Sequence, residues 1–167
     1  MAELSAFTGF IDRPGLPGAF GALMDEYARA AEDFCSVVEA LPSDLFVGRR
    51  ESADPEMVSL QSICAHVVGA AYGYAIYIRI ARGLPRRERP PLEALTAPAP
   101  ADVRPFLATA LHLTEESVDG LKDADDATLV PLRFQVRWGP IYDPEMILEH
   151  AIVHLLRHRR QITRWPR

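Results

Sequence analysis

Between Val58 and Ile78 the chain carries no formally charged residue, with His66 counted as neutral. Within that stretch Leu60, Ile63, Cys64, Val67, Val68, Ala71, Tyr74, Ala75 and Ile78 return every three or four positions, which is the period of an α-helix. A helix that is apolar over so much of its circumference has to be enclosed on more than one side. The rest of the chain is therefore expected to pack around it. Ser59 is placed to cap its first turn, and Arg82-Gly83-Leu84-Pro85 to end it, so the predicted helix runs over about 59–82.

Three other segments have helical period. Phe20, Leu23, Met24, Tyr27, Ala31, Phe34, Val38 and Leu41 form one stripe on a helix predicted over about 18–41, with most charges on its other faces. Val103, Phe106, Leu107, Ala110, Leu111, Leu113, Val118 and Leu121 mark a third over about 102–121, with Asp102 as a candidate cap. Asp143 followed by Pro144 opens the fourth, over about 143–164. The fold class is all-α, a four-helix bundle. Ser43 to Val58 is read as a connection, and Phe7 or Phe10 is expected to pack the amino-terminal segment on the bundle.

Two connections shape the topology. From Gly83 to Ala101 the chain is Pro-rich and 19 residues long, reaching roughly 60 Å when extended, against roughly 35 Å for the preceding helix. That length permits a crossover, so that helix three runs parallel to helix two. From Leu132 to Trp138 the apolar residues alternate with Arg133, Gln135 and Arg137, which predicts an extended or hairpin insertion before helix four. The aspartates at 123, 125 and 126 read as a solvated turn.

At 167 residues and 49% hydrophobic, the chain suits one domain, 1–167, with a substantial core. Its net charge of −5, without a broad basic block, argues against specific nucleic-acid binding, although Arg157, Arg159, Arg160, Arg164 and Arg167 form a local cluster able to hold an anion. Cys35 and Cys64 each sit inside an apolar helical pattern and are expected to be reduced core residues. No basic region leads into an apolar leader, and no run is expected to reach transmembrane length uninterrupted, so the expectation is no membrane partner and a cytoplasmic location.

Three of the five histidines, His150, His154 and His158, lie four apart in the last helix. Four-residue spacing brings imidazoles onto adjacent turns, close enough for two to share a cation. Since each step of four drifts by about 40°, one cation is reached more easily by two of these than by three. If helices two and four are antiparallel, His66 stands level with His154 and His158, and the three are the candidate metal ligands. His150 is then a substrate-facing or outer contact. Gln161, three residues after His158, can orient its imidazole through the amide oxygen, and Arg159 lies beside it. Three neutral imidazoles suit zinc, nickel, cobalt or iron and leave coordination positions open for water or substrate.

The segment HAIVHLLRHRRQI resembles the closing signature of the DinB/YfiT-like metalloenzyme superfamily, H-x3-H-x3-H-R-G-Q-I or a near variant. SLQSICAHV is similar to the earlier helix of that family, which supplies the remaining histidine. His154, His158, Arg159, Gln161 and Ile162 match the signature, and His150 matches a frequent non-ligating histidine; Arg160 stands where glycine is usual.

The resemblance implies an up-down-down-up bundle with His66, His154 and His158 binding a divalent metal, zinc or nickel first, with iron, cobalt or manganese as other candidates. It further implies thiol-dependent S-transferase-like chemistry, in which the metal activates a low-molecular-weight thiol cosubstrate toward a small-molecule electrophile, and a homodimer. The alternatives are a hydrolase using metal-bound water and a non-catalytic stress-response protein that binds a metal or small ligand.

Overall fold

The computed structural model describes residues 9–166, so Phe7 lies outside the described residues, while Phe10 is buried in the core. In chain order the helices are α1 (Ala19–Glu39), α2 (Ser43–Val47), α3 (Leu60–Ala81), α4 (Leu92–Leu95), α5 (Val103–Val118), α6 (Asp126–Leu129) and α7 (Pro144–Thr163). Two short strands, β1 (Phe134–Gln135) and β2 (Ile141–Tyr142), pair antiparallel, Phe134 opposite Tyr142. The four long helices are the four expected from periodicity, with ends differing by up to three residues.

The long helices pack as a ring in which α1 and α3 each touch both α5 and α7. Contacts at their ends give the directions. Arg82 at the close of α3 donates to the Ser117 carbonyl at 2.6 Å, near the end of α5, while Gln61 at the start of α3 donates to the Ala97 carbonyl at 2.8 Å, just before α5. These two helices therefore run in the same direction, as the long connection between them permits. Arg104 in the first turn of α5 holds Glu39 at the end of α1, so α1 and α5 are antiparallel.

The core is the apolar stripe of each helix turned inward. Tyr27, Phe34, Leu60, Ile63, Ile78, Leu107, Leu111, Ile147, Leu148 and Leu155 are among its fully buried members. By length and composition α3 is apolar enough to cross a membrane, which corrects the expectation that no segment reaches that mark. Its apolar surface is used within the fold, since α5, α7 and the short helices α2 and α4 all pack on it. Cys35 and Cys64 are both free and buried, as expected.

The helix ends follow from side-chain chemistry, with one correction. Ser59 accepts from the Ser62 amide while Ser62 reaches back to the Ser59 amide, each at 3.0 Å, which closes a reciprocal cap. Asp143 accepts from the amides of Glu145 and Met146, both at 3.0 Å. Asp102 does not cap α5. The chain enters through a 3-10 turn at Pro100–Asp102, which already places Asp102 in helical conformation, and its carboxylate bonds back to the Ala99 amide at 3.0 Å.

The connection from Ser43 to Val58 holds more structure than its polarity predicts: α2, with Phe46 fully buried, and a 3-10 turn at Pro55–Met57 that packs on α3. The insertion before α7 is a hairpin over 134–142, fastened to α3 by the Arg137 amide donating to the Tyr77 hydroxyl at 3.0 Å and by Phe134 stacked on the Tyr77 ring. Asp123 and Asp125 serve as turn acceptors, for the Ala19 amide and for Thr128 respectively.

Asp143 is buried and satisfies two otherwise free amides, so Asp143→Ala is expected to lower stability by about 1 kcal/mol, and Asp143→Asn by much less. Urea denaturation of the two variants checks this; equal loss in both would point to a role for the charge and not for capping.

Candidate metal centre

Antiparallel packing of α3 on α7 brings His66, in the second turn of α3, against His154 and His158 near the far end of α7. The chain advances from His66 to Tyr74 along α3 while the facing rings on α7 go back from His158 to His150. One ligating atom from each of His66, His154 and His158 lies within 4.8 Å of the others. His66 Nε2 and His158 Nε2 each stand 3.2 Å from His154 Nε2. A cation bonded tetrahedrally at roughly 2.0–2.1 Å sets its nitrogen ligands about 3.3–3.4 Å apart, so the spacing fits a single small metal ion.

The opposite ring nitrogens decide what these Nε2 atoms carry. His66 Nδ1 is 2.9 Å from Glu56 Oε2, and His158 Nδ1 is 2.7 Å from Gln161 Oε1. The Gln161 amide nitrogen in turn points at Met57 Sδ, 3.7 Å away, which fixes the oxygen toward the imidazole. Both partners accept, so both Nδ1 atoms hold the proton and both Nε2 atoms present lone pairs. His154 Nε2 can donate one hydrogen at most, to one of them. The cluster therefore has a surplus of lone pairs meeting at hydrogen-bond distance, which only a shared cation relieves in full.

Burial keeps His154 and His158 unprotonated. Burial, then the neighbouring His158, His66, His150 and Arg157, pushes His154 down to about 2. Burial pushes His158 down to about 4, against the opposing effect of the hydrogen bond it donates to Gln161. Near neutral pH both are free bases, the form that binds a metal.

The remaining residues named from sequence fall as follows. Gln161 makes the contact expected of it. His150 stands apart from the three, stacked under Trp138 with ring centroids 4.9 Å apart, and lines the cavity that opens beside them. Arg159 makes no contact with the imidazoles, and its Nε is buried without a hydrogen-bond partner among the described residues. Arg157, two positions earlier, is the arginine of α7 that borders the cavity. Glu149 is exposed and Cys64 buried in the core, both away from the centre.

Glu56, Tyr74 and Trp138 were not foreseen. Tyr74 lies edge-on to His154 at 5.7 Å. The only sequence signal for Glu56 was an acidic residue ten positions before His66, in a connection with no helical period.

No protein-family model, curated protein or solved structure matches the chain. The metal-binding reading therefore stands on the geometry of the three imidazoles and their two acceptors.

Because both shifts are downward, the folded protein resists protonation that the unfolded chain accepts below about pH 6.5. The contribution of these histidines to stability is full above that value and is lost as pH falls toward about 4 and then about 2. In metal-free protein, the urea midpoint of wild type is expected to drop relative to His154→Leu as pH goes from 7 to 5. A constant difference between the two would contradict the burial of neutral imidazole.

Proposed function

We propose that this chain is a divalent-metal-dependent enzyme of the DinB/YfiT-like type, with α1, α3, α5 and α7 in up-down-down-up order and S-transferase-like chemistry on a small thiol. The observation that carries the metal assignment is the convergence of three Nε2 atoms, two of them held as lone-pair donors by Glu56 and Gln161. Parallel α3 and α5, joined by a long connection, support the helix order. Imidazole ligands bring no negative charge to a divalent ion, which therefore favours an anionic fourth ligand such as a thiolate.

When bound, the cation supplies Lewis-acid stabilisation of sulfur anion at neutral pH. The chain's own residues set the geometry for that chemistry. Glu56 and Gln161 lock two ring orientations; Tyr74 and Trp138 give the adjoining cavity an aromatic lining. Arg157 adds positive charge at the edge of the centre, favouring anionic reactants. In the overall step the thiol gives its proton to solvent, a sulfur–carbon bond forms, and the leaving group departs with the pair that bound it.

Zinc or nickel is the proposed ion. Two reduced, buried cysteines agree with a cytoplasmic location. The exposed apolar side chains Val153 and Leu156 of α7 supply a surface for the proposed homodimer.

Cobalt-loaded protein tests the reading. One cobalt per chain is expected, with an absorption spectrum that changes on adding a small thiol, and metal-dependent conjugation of 1-chloro-2,4-dinitrobenzene with release of chloride. Glu56→Gln is expected to weaken metal binding by about tenfold, and His66→Ala or His158→Ala to abolish stoichiometric binding. Turnover of an ester without thiol would favour hydrolysis instead. A bound metal with no turnover of any electrophile would leave a binding protein.

A further inference from the structure

The cavity beside the three histidines has a volume of about 630 Å³, within the range of small-molecule sites. Its floor is one face of α3, where Gly69, Ala70 and Gly73 follow His66. Small residues there keep the floor low. A Cβ on Gly73 would meet nothing within 4 Å, and one on Gly69 would stand 3.5 Å from Arg89 Nη1. The Arg89 guanidinium thus lies over Gly69, whose position is about 4.5 Å along the helix axis from His66.

Three arginines border this cavity from three separate elements: Arg89 from the connection after α3, Arg137 from the hairpin and Arg157 from α7. Among the described residues none of the three pairs with a carboxylate, unlike Arg13, Arg29, Arg79 and Arg104. The one acid in the lining, Asp54, already accepts from the Glu56 amide at 2.9 Å. The wall is aromatic. Trp138 is stacked on His150, stands edge-on to Tyr74 and Tyr77 with centroids 6.2 Å away, and stays 42% exposed. Because the Arg137 amide is bonded to the Tyr77 hydroxyl, the guanidinium and the indole are carried to the mouth together.

Guanidinium groups recognise carboxylates through paired hydrogen bonds, and a flat aromatic wall prefers a flat partner. We propose that the cavity takes a small carboxylic acid with a conjugated or aromatic body. Its carboxylate lies on Arg89 and Arg137, its plane lies against Trp138 and Tyr77, and the Arg89 side is the one nearer the histidine centre. As the identity of the electrophile this rests on the metal-and-thiol reading; as a binding site it does not.

Calorimetric titration of metal-free protein tests it, since no carboxylate–metal bond can then contribute. Cinnamate is expected to bind at least about tenfold tighter than neutral cinnamamide, the value of one charge-assisted contact, and also tighter than hexanoate. Arg89→Gln and Arg137→Gln are each expected to remove most of the preference while leaving cinnamamide binding unchanged, and Trp138→Ala to weaken both aromatic ligands. Equal binding of cinnamate and cinnamamide, insensitivity to both arginine changes, or tenfold tighter binding of phenyl phosphate would overturn the proposal. Cobalt binding by the same proteins separates the two readings: cobalt bound without cinnamate preference removes only this site, whereas the preference without cobalt removes only the metal enzyme.

Discussion

Two hydrogen bonds made on the far side of the imidazoles govern this molecule. Glu56 and Gln161 take the Nδ1 protons of His66 and His158, and this turns two ordinary core-edge histidines into fixed lone-pair donors aimed at His154. Without those acceptors either ring can flip or change tautomer, and the three nitrogens then satisfy one another as a hydrogen-bonded chain. With them, the cluster is short of hydrogen, and a cation is the species that completes it.

The fold supplies the distances. His66 can face His154 and His158 only because α3 and α7 are antiparallel and closely packed, and α3 stays in place because more than half of its residues are buried against the elements that pack on it. The crossover from α3 to α5 leaves room beside the metal centre, where Arg89 descends over Gly69 and the hairpin brings Trp138 to the opposite side. The connections that look least regular thus add Asp54, Met57, Arg89, Arg137 and Trp138 to a cavity whose floor and ligand set are held by α3 and α7.

Sequence carried the parts that depend on local period. His154 and His158 are one helical turn apart on any regular helix, Gln161 is three residues from His158, and a count of residues from the helix ends placed His66 at the matching height. The caps at Ser59 and Asp143 were legible for the same reason, since a cap is decided within four residues. Asp102 was misread because a 3-10 turn ahead of α5, set by Pro100, moved the helix entry. Glu56, Arg89, Arg137 and Trp138 reach the site from connections whose paths depend on docking against α3, which no local pattern encodes.

The most direct test of this account is nitrogen-15 NMR of the histidine side chains in metal-free protein at neutral pH, followed by titration with zinc. The account predicts that His66 and His158 carry their hydrogen on Nδ1, and that one equivalent of zinc shifts the Nε2 resonances of these two and of His154 together. Hydrogen on Nε2 of His66 or His158, or zinc-induced shifts confined to a single ring, would contradict it.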